Sequence, residues 1–114
     1  MNLAIVRGYL TRDPELRELP SGTCVANYDV SVRDVSPAES VPVAWHDPPP
    51  TWAAMEAGDE VVVTGRIRRR FFRAGNGTAS RTELIADRVV PARHAKRVRA
   101  LLEKVASTVE AASA

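Results

Sequence analysis

Five stretches of the chain alternate apolar and polar positions with a period of two, the spacing of strands that turn one face inward. The first, NLAIVRGYL at residues 2–10, carries Gly8 where a bulge or a close backbone approach is expected. In VANYDVSV, Ala26, Tyr28, Val30 and Val32 take the inner face, while Val25, Asn27, Asp29 and Ser31 take the outer. VPVAW is a third strand whose Pro42 fits an edge or a bulge. The fourth opens with the β-branched run Val61 to Thr64 and continues as GRIRRRFF. Its register sends Val61, Val63, Gly65, Ile67 and Phe71 to the core, with Arg69 the misfit among them. Val62, Thr64, Arg66, Arg68, Arg70 and Phe72 face the other way. Ala74-Gly75-Asn76-Gly77 then predicts a turn and SRTELIADRVV a return strand, which makes one long hairpin.

The connecting segments are marked by turn chemistry. TRDPELRELPSGT holds Asp-Pro and Pro-Ser-Gly around a short extended piece, and RDVSPAES is a short loop. The three prolines of HDPPPT exclude helix interior and central strand. TWAAMEAG after them predicts about two helical turns, with Thr51 as N-cap and Gly58 as C-cap. From Pro91 the period changes: Val98, Leu101, Leu102, Val105 and Val109 form one helical stripe, with Arg93, Lys96, Arg97 and Arg99 at the end where the helix dipole disfavours cations. The sum is a mostly β fold of five short strands with one short helix between the third and fourth. These are the ingredients of an OB-fold barrel at residues 1–91, with an added amphipathic helix at 92–114. Periodicity leaves the topology open.

Composition narrows the function. A chain of 114 residues makes one domain and buries roughly 65% of its unfolded surface, enough for a core without staples. Cys24 is the only cysteine, so no intramolecular disulfide forms; it is expected as a small core residue. With two histidines, His46 and His94, a zinc site has no donor set, and no metal or other cofactor is expected. No apolar run spans a membrane and no signal pattern opens the chain, so a cytoplasmic protein is expected. The net charge of +2 conceals a division: residues 1–60 carry 4 Arg against 10 acids, and residues 61–114 carry 12 Arg and Lys against 4 acids. A basic half beside an acidic half points to a localised anion-binding surface. Ser-His-Asp and Cys-His arrangements, paired carboxylates and a phosphate loop are all missing, and His46-Asp47 reads as loop, so no enzyme is expected.

The row Arg66, Arg68, Arg70 and Phe72 has two explanations. A solvated face needs the arginines but has no use for the ring. A single nucleic-acid strand uses both, phosphates for the guanidinium groups and a base for the aromatic.

Two blocks of the chain also resemble a known family. MNLAIVRGYLTRDPELRELPSGTCVANYDVSV is similar to the N-terminal signature of bacterial single-stranded DNA-binding proteins, at Gly8, Leu10, Asp13, Pro14, Glu15, Arg17, Gly22, Val25, Ala26 and Val30. GDEVVVTGRIRRRFF and SRTELIADRV look like that family's fourth and fifth strands. The resemblance covers about residues 1–90. It implies sequence-tolerant binding of single-stranded DNA by stacking and by arginine–phosphate contacts, with a role in replication, recombination or repair; OB-folds that bind single strands work this way. Phe72 stands where such proteins carry a stacking tryptophan, Trp45 falls near another family aromatic, and Arg68 and Arg70 match basic positions. Arg7, Arg12, Arg33, Arg66, Arg73 and Arg81 are further candidates by charge and expected location. Core packing is the alternative for Trp45 and the expectation for Trp52, while Arg17 and Asp13 can be turn-stabilising instead. The resemblance also implies a homo-oligomer, a tetramer with a dimer as the alternative. Two departures stand out. No aromatic lies between Val32 and Val43, and these 114 residues hold no long linker with an acidic tip for recruiting replication or repair proteins. An OB-fold interaction module of the primosomal kind is therefore the second expectation.

Overall fold

The computed structural model describes residues 1–113 and is built from six strands, one 3-10 turn and one helix. The strands are β1 (Ala4–Leu10), β2 (Glu15–Glu18), β3 (Cys24–Val32), β4 (Glu39–His46), β5 (Glu60–Ala74) and β6 (Gly77–Pro91). The 3-10 turn is Pro50–Ala53, and the helix α1 is Ala95–Ser113. The sheet runs β1-β5-β6-β4-β3-β2, and a further β1–β3 pairing closes it. Five strands thus form a barrel, the expected OB-fold. β2, the short extended piece of the sequence, lies outside the ring as a ribbon on β3. All ladders are antiparallel except β4–β6.

The closure depends on Gly8. At Tyr9↔Ser31 the chain of β1 passes so near β3 that a Cβ on Gly8 would lie 2.5 Å from the Ser31 carbonyl oxygen. The expected close approach is present, and any side chain there would force the seam apart. The barrel is filled by Leu10, Ala26, Tyr28, Val30, Val43, Trp45, Met55, Val61, Val63, Leu84, Ala86 and Val89. The step from Ala86 to Val89 breaks the period of two. One residue of β6, Asp87, is extra between the pairs Gly65↔Ala86 and Thr64↔Arg88, and this bulge keeps both flanking segments facing inward.

Several expectations are corrected. The segment after the prolines makes one 3-10 turn and not two helical turns, and Pro49 precedes it where Thr51 was expected as cap. The reason lies in competing partners. The Glu56 N–H bonds Asp59 Oδ2 at 2.9 Å and the Ala57 N–H bonds Asp13 Oδ1 at 2.8 Å, so those amides are lost to a helix. Met55 points into the core, and Trp52 packs half-buried against it. β5 and β6 have 15 residues each and are not short. Val62 and Thr64 lie on the outer face as expected but are buried; Thr64 and Val90, the partner of Val62, line clefts that α1 borders. Cys24 is half-buried at the start of β3, outside the core. His46 closes β4 and is not in a loop.

Candidate nucleic-acid interface

Past Gly65 the hairpin of β5 and β6 leaves the barrel. Beyond Ile67 every residue of β5 except half-buried Arg68 is exposed, and the two strands continue as an arm to the turn at Gly75-Asn76. Gly75 has φ 58 and Asn76 does not share the positive φ, the pattern of a type II′ hairpin turn. Period-two alternation places Arg66, Arg68, Arg70 and Phe72 on one face of this arm. Their partners on β6 are Ile85, Glu83, Arg81 and Ala79.

That face closes over the outer side of β2, β3 and β4. Arg12, Glu15, Arg17, Asn27, Asp29 and Pro42 line one end of the resulting groove together with Arg70, Arg81 and Glu83, around a cavity of about 150 Å³. A second cavity of about 80 Å³ continues it, with Arg17, Asn27, His46, Arg68 and Arg70 at its sides. Leu19, Val25 and Ala44 make its floor, and with Ile85 they form a small apolar cluster outside the barrel. Five arginines therefore line the groove, and three of them, Arg17, Arg68 and Arg70, border its apolar floor. Phe72 is 40% exposed at the distal end, with the Arg70 guanidinium 5.9 Å from its ring centre.

The arginines are not equivalent. Arg68 donates through Nη2 to Glu83 Oε1 at 2.7 Å. Glu83 is 7% exposed, so this pair is held: removing the cation would leave a buried carboxylate without compensation. Arg68 Nε is buried and has no acceptor among the described residues. Arg12 pairs with Asp29 at 2.8 Å on an exposed surface, where such a pair contributes about 0–1 kcal/mol and yields readily to a phosphate. Arg66, Arg70, Arg73 and Arg81 make no ion pair among the described residues.

Not every expected residue comes to the groove. Arg7 is tied to Glu60 by two bonds of 3.2 Å; that pairing raises the arginine's pKa and lowers the carboxylate's. Arg33 lies 4.4 Å over the Tyr9 ring. Neither lines the groove, and Arg66 and Arg73 border neither of its cavities, Arg73 lying at the tip of the arm. Trp45 is corrected outright: at 5% exposure it is part of the barrel core and presents no face to a base. Phe71, expected in the core, is 65% exposed, because the arm has no core behind it. Conversely, Arg17 looked like a turn residue yet stands on β2 opposite Val25 and faces the groove. Asn27 and Asp29 were legible as outward positions of β3, but only the closure of the arm over them makes them site residues.

A model of the single-strand binding protein family matches residues 1–92. The chain belongs to that family. A single-stranded DNA-binding protein of Oceanobacillus iheyensis is 37% identical over 99 residues, covering 78% of this chain and 62% of the relative, less than two thirds of its length. Single-stranded DNA-binding protein 2 of Clostridium acetobutylicum is 34% identical over 99 residues, covering 78% of this chain and 74% of the relative. The family match takes in every groove residue, whereas α1 lies beyond it. Among the described residues no helix is long and apolar enough to cross a membrane.

Proposed function

We propose that the protein binds single-stranded DNA without strong sequence preference, with the strand lying in the groove between the arm and the outer face of β2 to β4. The observation that carries this reading is the convergence of Arg12, Arg17, Arg68, Arg70 and Arg81 beside an apolar floor, with an exposed ring at the groove's end. Guanidinium groups neutralise phosphates and release condensed counterions, which supplies affinity without reading sequence. Phe72 offers a flat apolar face to any base, and so does the Leu19, Val25 and Ala44 patch. Glu15, Asp29 and Glu83 temper the field, so binding stays salt-sensitive and reversible. In the cell such a protein would cover exposed single strands in the cytoplasm during replication, recombination or repair, as a homo-oligomer, a tetramer or a dimer. Titration of labelled oligo(dT), a mixed-sequence oligonucleotide and duplex DNA at several salt concentrations tests the proposal. Comparable binding of both single strands and much weaker binding of the duplex are expected; absence of single-strand binding would overturn it. A protein-interaction module of the primosomal kind is the second reading, favoured by exposed Leu3, Ile5, Leu102 and Val109, none of which lines the groove.

A further inference from the structure

The arm has a reverse face that the groove does not use. Along β5, Ile67, Arg69, Phe71 and Arg73 alternate with the groove-side residues, and Leu84, Thr82, Ser80 and Thr78 stand opposite them on β6. At the root of this face Leu84 is fully buried and Ile67 is 43% exposed, so the core ends between them. Phe71 lies further out and is more exposed than Phe72. A lone surface ring needs no explanation. This one has an arginine one pleat away on each side, and the paired positions on β6 are hydroxyls, not carboxylates. Arg69 and Arg73 make no ion pair among the described residues. The groove face, by contrast, carries Glu83 within its own register. Cations, hydroxyl donors and a ring without an acid complement a polyanion that also presents bases.

The root of the arm is also fixed in orientation. Asn2 Nδ2 donates to the Ile67 carbonyl at 2.7 Å and the Ile67 N–H donates to Asn2 Oδ1 at 3.0 Å, so the N-terminal segment clamps β5 just beyond its last pair with β1. From there outward that edge of β5 pairs with no strand, and a chain can pass over it from one face to the other.

We propose that this reverse face is a second single-strand subsite: a strand leaving the groove at Phe72 passes round the arm, stacks a base on Phe71 and sets flanking phosphates on Arg69 and Arg73. The inference rests on the single-strand reading of the groove. It predicts that Phe71 matters only for strands long enough to turn the corner. Anisotropy titrations with oligo(dT) of about 6 and about 30 nucleotides, well within and well beyond the ~4–16 that one OB-fold covers, separate the two faces. Phe72→Ala should weaken both lengths. Phe71→Ala should leave the short strand unchanged and weaken the long one about tenfold, the loss of one stacked base. Replacing Arg69 and Arg73 by Ala should flatten the salt dependence for the long strand alone, by about 1.4 in log–log slope. Unchanged long-strand affinity in Phe71→Ala, with Phe72→Ala impaired, overturns the inference and leaves the groove reading standing. Equal losses at both lengths place the two rings in one subsite and also overturn it. So does a change in solution mass of Phe71→Ala, which assigns the face to a second copy of the chain. If the wild-type protein binds neither length, the groove reading fails and the reverse face falls with it.

Discussion

β5 and β6 are one continuous hairpin with two different occupations. From Glu60 to Gly65, paired with Ala86 to Pro91, the strands are walls of the barrel: Val61, Val63, Ala86 and Val89 fill the core, and a Cβ on Gly65 would collide with the Ile85 carbonyl oxygen. From Arg66 to Ala74 the same ladder continues, with β5 largely exposed and carrying five arginines, while of its partners on β6 only Glu83, Leu84 and Ile85 at the root are buried. The β5–β6 ladder runs through both halves, although only the barrel half of β5 also pairs with β1 on its other edge. What also differs is whether a second layer stands behind the ribbon. A two-stranded ribbon is marginal alone; here the barrel anchors it, and the arm is free to present side chains chosen for a ligand.

If that division holds, substitutions should separate stability from binding. Leu84→Ala strikes the junction from the barrel side and should cost about 2–5 kcal/mol of stability in urea unfolding, since it empties a fully buried site. Phe72→Ala strikes the arm and should cost about 1–3 kcal/mol of single-strand affinity by titration, with the unfolding midpoint unchanged. A joint loss of stability and binding in Phe72→Ala would dissolve the comparison. Tyr28→Phe removes the bond from the buried phenol to the Trp52 carbonyl at 3.0 Å and should cost about 0.5–1.5 kcal/mol of stability. Burial raises the Tyr28 pKa above its ordinary value, so the neutral phenol's contribution is complete below pH ~10 and is lost as pH rises above that. Unfolding measured across that range should show an alkaline decline in the wild type that Tyr28→Phe lacks. The smallest effect is expected from Glu83→Gln, which releases the Arg68 charge into the groove while keeping an acceptor for it. The salt slope should steepen by about 0.7.

Much of this division is readable in the residues. The alternation from Val61 to Phe72 assigns the faces of β5 correctly, because the period of two is set by the strand itself. It does not reveal where the barrel ends, and so Phe71 reads as core: an inward direction has meaning only where another layer exists. Trp45 shows the opposite failure. Val41, Val43 and Trp45 share one face of β4, which already pairs the tryptophan with inward valines, but its likeness in position to a family aromatic pointed outward. The helix expected at residues 51–58 gave way to side chains from elsewhere, Asp13 above all, that take its amides. The cleft that Thr64 shares with α1 joins it to an element some 30 residues away that no local pattern connects to it. Arg17 and Asn27 became site residues only through closure of the arm over β3, a long-range event of the same kind.

The central claim is that unpaired arginines around the groove meet phosphates. The direct test is the slope of log affinity against log salt for a short oligo(dT), compared between the wild type and the triple variant Arg17→Ala, Arg70→Ala, Arg81→Ala, the three groove arginines without an ion pair among the described residues. Each phosphate released from a neutralising contact changes the slope by about 0.7, so the triple variant should be flatter by about 2. Arg68→Ala alone should flatten it less than Arg70→Ala alone, since Glu83 already neutralises Arg68. A triple variant with the wild-type slope would contradict the account and make the groove arginines a solvated face.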